Sequence, residues 1–397
     1  MRRKTVGLLK MLFFVSLVLF LIFKATQRPR VLVVQSYTNA FSWTRDIDFA
    51  IHQVLDQKFY DVRYHYMDTK RHSDPQFKNI AGSLVKKKID EWLPNVLIAV
   101  DDNAQSLVST CYVDESELDE DEVVELKSKF PNFGQCFENH PDMKVIFAGI
   151  GAKPENYGFA DQPNIGGITE RMDIAALKDT LEKIKVGLGK TSMKIVLPVD
   201  NSITSKLNIE NSFKTLAQRL APLNIEVEHK SAGTLAQWKA NIEQANKEAD
   251  LVLFTLYHTV RCDSGPKAKL IAPPDLVKWT LANTKLPVMG AWGFFVEDGG
   301  LLSIGVSPFE QGTVSANIVV DYLDRGIIPG DQPLHITRQS IIYMRENRQV
   351  KQGFGLPIIY QNFARATDNF IKECQGDQAD CRSEVLPVPD LAAYCGL

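Results

Sequence analysis

Between Val31 and Val306 short apolar runs alternate with amphipathic stretches, and this rhythm constrains the fold more than any single motif does. Val31–Gln35 (VLVVQ) and Val96–Val100 (VLIAV) are near-continuous runs of apolar, mostly branched residues. Such runs suit strands of a parallel sheet, which helices cover on both faces. Between them, residues 44–57 carry Ile47, Ala50, Ile51, Val54 and Leu55 at helical spacing, with Thr44 as the expected N-cap. Residues 60–67 alternate as a strand and residues 74–92 as a helix; 145–148 is a further strand. The pattern then repeats. Helices are expected over 173–186, 202–220 and 234–249, with strands over 194–197, 225–229, 251–256, 286–290 and 301–306. A βαβα rhythm that runs twice predicts two open parallel sheets, each covered by helices.

The first lobe is expected over 30–170 and the second over 171–292, starting after a turn at Gly166-Gly167. Residues 293–345 are expected to cross back between the lobes, and 346–397 to form a C-terminal helix and a cysteine-bearing tail. Open parallel sheets bind ligands beyond the carboxyl ends of their strands. Two facing sheets would therefore line one cleft with residues 36–43, 101–105, 149–151, 200–202, 255–258 and 291–295. Aromatic residues gather in these segments: Tyr37, Phe41 and Trp43 after the first strand, then Tyr257, Trp292, Phe294 and Phe295. Packing explains most aromatics singly. Their convergence at strand ends of both lobes suits a pocket that is mostly apolar with a few placed polar groups.

Charge and cysteines bound the compartment and the partners. Residues 1–30 hold seven basic groups and no acid, while the other 367 residues hold 38 basic and 48 acidic groups. So acidic a body argues against nucleic acid as a partner, since phosphate-backbone binding needs clustered Lys and Arg. The basic start brackets an apolar core, residues 11–23 (MLFFVSLVLFLIF), which reaches 18 residues when counted back to Val6 with Lys10 snorkelling. Residues 1–29 therefore read as a signal peptide or an N-terminal membrane anchor, with residues 6–23 as the tether. Phe23 stands where a cleavage site wants a small residue, which favours retention. In an oxidising compartment Cys111–Cys136 and Cys374–Cys381 (or Cys374–Cys395) are candidate disulfides, leaving Cys262 alone, although spacing does not decide connectivity. Eight acids in residues 114–125 (DESELDEDEVVE) lack the glycine and ligand spacing of a calcium loop. The segment 111–142 therefore reads as a solvated, disulfide-bounded insertion.

Several tempting motifs fail. Gly187-Leu188-Gly189-Lys190-Thr191-Ser192 resembles the end of a phosphate loop, but Ile184 stands where its first glycine belongs. A helix also precedes it, where that loop needs a strand. Gly149-Ile150-Gly151 follows a strand, yet Pro154 occupies the third position of a dinucleotide fingerprint. The seven histidines lack metal spacing, no G-x-S-x-G elbow occurs, and no cofactor is implied. Asp101-Asp102 could do acid–base chemistry, hydrogen-bond a polar ligand or cap the next helix.

Residues 31–48 (VLVVQSYTNAFSWTRDID), 95–105 (NVLIAVDDNAQ), 167–174 (GITERMDI) and 287–312 (PVMGAWGFFVEDGGLLSIGVSPFEQG) together resemble one group of bacterial periplasmic solute-binding proteins. These serve ABC-type uptake systems, in the branch that includes tryptophan- and tyrosine-binding proteins. The resemblance is ordered and spans about residues 30–345, and the FVEDGGLLSIGVSPFEQG run is its most specific part. It implies an α/β fold of the type I periplasmic-binding-protein kind, with two open parallel-sheet lobes joined by crossover strands. It also implies a non-enzymatic protein that closes over a small polar or aromatic, amino-acid-like metabolite. Residue by residue it points to Ser36, Tyr37, Asp102, Asn103, Gly149, Gly151, Asp200, Asn201, Tyr257, Ala291 and Trp292 as ligand contacts, and strand-end position adds Trp43. Aromatic faces would sandwich the ligand while Asp102, Asn103 and Asp200 hold its polar groups. The expected partner is an ABC permease, and the expected location is the periplasm. The acidic insertion, the cysteine-bearing tail and the poorly cleavable anchor depart from that pattern. They keep a second reading open: a membrane-tethered sensory module that signals ligand occupancy to a membrane partner.

Overall fold

A computed structural model describes residues 10–18, 28–265, 268–346, 354, 356–367, 369–372 and 389–396. In chain order its strands are β1 (Arg30–Gln35), β2 (Asp61–Tyr66), β3 (Val96–Val100), β4 (Lys144–Ile150), β5 (Ile165–Thr169), β6 (Met193–Asp200) and β7 (Ile225–Ala232). There follow β8 (Leu251–Phe254), β9 (Val288–Gly290), β10 (Leu302–Val306), β11 (His335–Ile336), β12 (Ser340–Arg345) and β13 (Phe370–Ile371). They form a six-stranded sheet in the order β11-β5-β4-β3-β1-β2 and a seven-stranded sheet in the order β13-β12-β10-β9-β8-β6-β7. Every pairing in the first sheet is parallel. In the second, only β12 runs antiparallel to its neighbour β10. The expected α/β architecture of two parallel-dominated sheets is present.

Alternation explains why the strand sequences are apolar throughout. In β1, Val31 and Val33 join one core cluster while Leu32 and Val34 join the other, and β3 divides in the same way. Each face is covered by helices, so neither can be polar. Burying one such side chain stabilises the fold by about 1.5–3 kcal/mol. The helix ends follow local chemistry. Asp74 caps Pro75–Trp92, Asp173 caps Ile174–Gly187, and Thr234 with Gln237 forms a capping box on Leu235–Glu248. The helix expected over 44–57 differs from that reading. It spans Ser42–Leu55 with Phe41 at the N-cap position, so Thr44 lies inside its first turn.

The chain crosses between the sheets three times: after β5, after β10, and between β11 and β12. The helix Pro308–Arg325 leaves β10 in the second sheet and packs on Ser42–Leu55 beside the first. Gly312 permits that approach, because a Cβ there would lie 2.4 Å from the Ile47 carbonyl oxygen. From the preceding residue, Gln311 accepts from Gly149 N–H (2.8 Å) and donates to Thr337 Oγ1 (2.6 Å), lacing two crossovers to the end of β4. Gly166 and Gly167 are not a turn. They lie within β5, where a Cβ at Gly166 would stand 2.4 Å from Pro329 O and one at Gly167 2.1 Å from Phe147 O. Tight packing, rather than chain reversal, selects glycine here.

Two disulfides join described residues. Cys111–Cys136 closes the base of the acidic insertion as expected, whereas Cys262 bonds Cys395. Cys262 is therefore not alone, and the alternative Cys374–Cys395 pairing is excluded. Cys374 and Cys381 lie outside the described residues. Of the proposed tether, residues 10–18 are helical, and the apolar Met11, Phe13, Phe14 and Val18 are exposed; the rest lies outside the described residues. Among the described residues no helix is long and apolar enough to cross a membrane.

Candidate functional site

The carboxyl ends of both sheets face one another across a cavity of about 700 Å³. The first lobe contributes Tyr37 after β1, Thr69, Lys70 and Ser73 after β2, and Asp102 and Asn103 after β3. The second contributes Asp200 at the end of β6, Asn201 and Thr204 after it, Gly233 after β7, and Leu256, Thr259 and Arg261 after β8. The insertion and the loop after β4 close one side with Lys129, Phe130, Asn156 and Tyr157. The lobes touch around the opening. Arg261 Nη2 donates to Ser73 Oγ (3.0 Å), Asn211 Nδ2 donates to Gly151 O (2.9 Å), and Leu207 packs on the apolar cluster of the first lobe. The cavity is thus walled by both lobes, which touch beside it.

Of the residues singled out in the sequence, Tyr37, Asp102, Asn103, Asp200 and Asn201 line the cavity. Asn201 and Asn103 offer amide groups there. The two carboxylates are already engaged. Asp102 accepts from Gly151 N–H (3.3 Å), Ala152 N–H (3.2 Å) and Tyr157 O–H (2.7 Å), which pins the loop after β4 to the start of Asp101–Leu107. Asp200 accepts from Ser202 N–H (3.0 Å), Ser202 Oγ (2.6 Å), Thr259 N–H (3.0 Å) and Ser205 Oγ. Burial raises the Asp102 carboxyl above its ordinary range despite these donors.

The other seven lie in the wall rather than on the cavity. Ser36 Oγ donates to Val100 O (2.6 Å) and accepts from Ala104 N–H (2.8 Å), tying β1 to the chain after β3. Gly149 donates to Gln311, as above. Gly151 gives its N–H to Asp102 and its carbonyl to Asn211 and Arg171. Trp43 is buried beside Asp46, Glu297 and Tyr343 at the crossover side. Tyr257 O–H donates to Asp298 (2.6 Å), and Trp292 Nε1 donates to Glu170 (2.9 Å). Ala291 is fully buried. Strand-end position placed these residues near the cleft, but it does not reveal which side chains point into it.

An aromatic cluster closes the inner end. Phe41 contacts Tyr37 (5.7 Å between centroids), His258 (5.2 Å) and Phe294 (5.5 Å), joining rings of both lobes. The Lys70 ammonium reaches over them, 4.2 Å from the Phe41 centroid and 4.5 Å from that of Tyr37. Burial lowers the Lys70 pKa, while Asp101, Asp200, Glu170 and Asp298 oppose that shift. Burial pushes the Glu170 and Asp298 carboxyls up to about 7. His258 is buried with Nδ1 unpaired, and its pKa is lowered by burial and by Lys70. Among the described residues, no cluster of three or more His, Cys, Asp or Glu side chains could hold a metal ion.

Lys70, Ser73, Lys78, Phe130, Tyr157, Thr259 and Arg261 are lining residues that the sequence reading missed. The strand-end rule, applied to β2 as it was to β1, would have found Lys70 and Ser73. Nothing local marks Phe130, which reaches the cavity only because the Cys111–Cys136 insertion folds back on Tyr157 (5.8 Å between rings).

No protein-family model matches the chain, and no curated protein matches it in sequence. Solved structures do. A conserved domain protein from Vibrio cholerae is 14% identical with a TM-score of 0.58, over 85% of this chain and 98% of that one. An ABC domain in complex with L-Trp from Streptococcus pneumonia is 13% identical with a TM-score of 0.57, again over 85% and 98%. A ligand-free, open substrate-binding protein with adhesive properties from Clostridium difficile is 12% identical with a TM-score of 0.54, over 88% of this chain and all of that one. At such identities the likeness is one of fold: two lobes of the type I periplasmic-binding-protein kind.

Proposed function

We propose that the chain is a non-enzymatic, exported solute-binding protein whose lobes close over a small polar or aromatic metabolite and deliver it to an ABC-type permease. The observation that carries this reading is the cavity itself. It lies at the carboxyl ends of two facing parallel sheets, is walled by side chains of both lobes, and is bridged by Arg261–Ser73 and Asn211–Gly151. Three crossover segments provide a hinge about which a few residues can rotate. Support for solute binding also comes from the similar folds described as an L-Trp complex and as a substrate-binding protein. A tether at residues 6–23, read from the sequence, would hold the lobes in the periplasm.

Calorimetry and small-angle scattering on the full chain, against a panel of amino acids and nucleobases, test the proposal. Saturable binding with compaction is the expected result. Absence of both across the panel refutes it. N-terminal sequencing of the mature protein from its native host then separates transport from tethered sensing, since retention of residues 1–29 favours the sensor.

A further inference from the structure

The charges that line the cleft bear on the chemistry of its occupant. Four cations reach the cavity: Lys70, Lys78, Lys129 and Arg261. Among the described residues their hydrogen-bond and ring partners are all uncharged. Lys78 donates to Asn103 Oδ1 (3.2 Å), Lys129 to Asn156 O (3.3 Å), and Arg261 to Ala268 O (2.7 Å) and Ser73 Oγ (3.0 Å). Lys70 rests on the Tyr37 and Phe41 rings. Three of the four are tied to one short segment, Thr69–Ser73. Lys70 belongs to it, Arg261 bonds Ser73, and Asn103 links Lys78 to Thr69 through Nδ2 (3.1 Å to Oγ1).

Two carboxylates share the lining with these four cations; Asp200 offsets part of the Lys70 charge, and both carboxylates are occupied by protein donors. Each oxygen of Asp102 and Asp200 already accepts a hydrogen bond from a neutral protein donor. From outside the lining, Asp101, Glu170 and Asp298 influence Lys70 and Asp74 influences Lys78. Trp292 and Tyr257 hold two of them, Glu170 and Asp298. Gathering like charges in the lining of a partly desolvated cleft is unfavourable, and such a cleft concentrates anions. Phe130, Tyr157, Leu207 and Leu256 supply an apolar remainder.

We propose that the solute is a small organic anion, with a carboxylate or phosphate seated against Lys70, Lys78 and Arg261 and an apolar or aromatic body against Phe130 and Tyr157. This rests on reading the cleft as a solute site and names the class of solute it takes. A cationic amine meets the wrong charge there, and a zwitterion finds both lining carboxylates already holding protein donors.

Calorimetry on the full chain with phenylacetate, phenyl phosphate, phenylacetamide, phenethylamine and L-phenylalanine tests the proposal. At least one of the two anions should bind roughly tenfold more tightly than the isosteric amide, with the amine weakest. The stronger arm tells carboxylate from phosphate. Lys78→Met, which keeps the apolar stem, and Arg261→Gln should each weaken that anion roughly tenfold. Urea midpoints and compaction are measured alongside, so that loss of affinity is not mistaken for loss of fold. Three results overturn the inference: tighter binding of the amine or the zwitterion, equal binding of the amide, or no binding of either anion. If the amine or zwitterion nevertheless compacts the chain, the solute-binding reading survives and only the anionic class falls. If nothing in this panel or among the amino acids and nucleobases compacts it, both fall.

Discussion

Replacing Asp102 with alanine tests whether this carboxylate is scaffold or ligand contact, because the two roles predict different measurements. The side chain is 8% exposed and accepts three hydrogen bonds, from Gly151 N–H, Ala152 N–H and Tyr157 O–H. The 2.7 Å bond from Tyr157 to a charged acceptor contributes about 1.5–3 kcal/mol, and the two backbone bonds at 3.2–3.3 Å about 0.5–1 kcal/mol each. Two effects reduce that total. Cavity water can rehydrate the stranded donors, and a buried charge that was itself unfavourable is removed. Asp102→Ala should therefore lose about 2–4 kcal/mol in urea unfolding. Asp102→Asn should lose about 1–2 kcal/mol, since its amide oxygen can still accept from Tyr157 and Ala152 while its NH₂ meets the Gly151 N–H. Tyr157→Phe should lose about 1–2 kcal/mol and couple to Asp102→Ala by about 1–2 kcal/mol in a double-mutant cycle. Stability within about 0.5 kcal/mol of wild type for Asp102→Ala, or strict additivity with Tyr157→Phe, would falsify the scaffold assignment.

Three further outcomes follow from the same structure. Burial holds the Glu170 carboxyl near 7 against an ordinary 4.5, so its contribution is fully present below about pH 4.5 and is lost as pH rises through about 7. Glu170→Gln should leave stability near pH 4.5 unchanged and raise it by up to about 3 kcal/mol at pH 8; a loss at pH 8 contradicts this assignment. The Cys262–Cys395 bridge spans 133 residues and Cys111–Cys136 spans 25, so on loop entropy its double Ala variant should lose about 1.5 kcal/mol more; urea midpoints with equal or reversed losses refute that. Gly312→Ala places a methyl 2.4 Å from Ile47 O and should cost about 1–3 kcal/mol by thermal melting, and an unchanged Tm counts against close helix packing there.

Much of the fold was legible because it is encoded locally. The apolar runs of β1 and β3 and the capping residues Asp74, Asp173 and Thr234 act within a few positions of themselves. The general place of the site was legible too, since parallel strands bring their carboxyl ends to one edge. Individual contacts were not. Ser36, Tyr257 and Trp292 stand at strand ends, yet their polar atoms turn to Val100, Asp298 and Glu170 in the wall. Gly166-Gly167 read as a turn because their packing partners, Phe147 and Pro329, are distant in the chain.

By itself the sequence determined two α/β halves, a cleft at their strand ends, a basic apolar start and an acidic insertion bracketed by cysteines. Only the tertiary structure decided that Cys262 meets Cys395, that Phe130 of the insertion reaches the cavity, and that Lys70, Lys78 and Arg261 gather about Thr69–Ser73. The physical reason is range. Periodicity and capping report on neighbours a few residues apart, whereas cavity lining and charge compensation depend on side chains that only folding brings within a few ångströms.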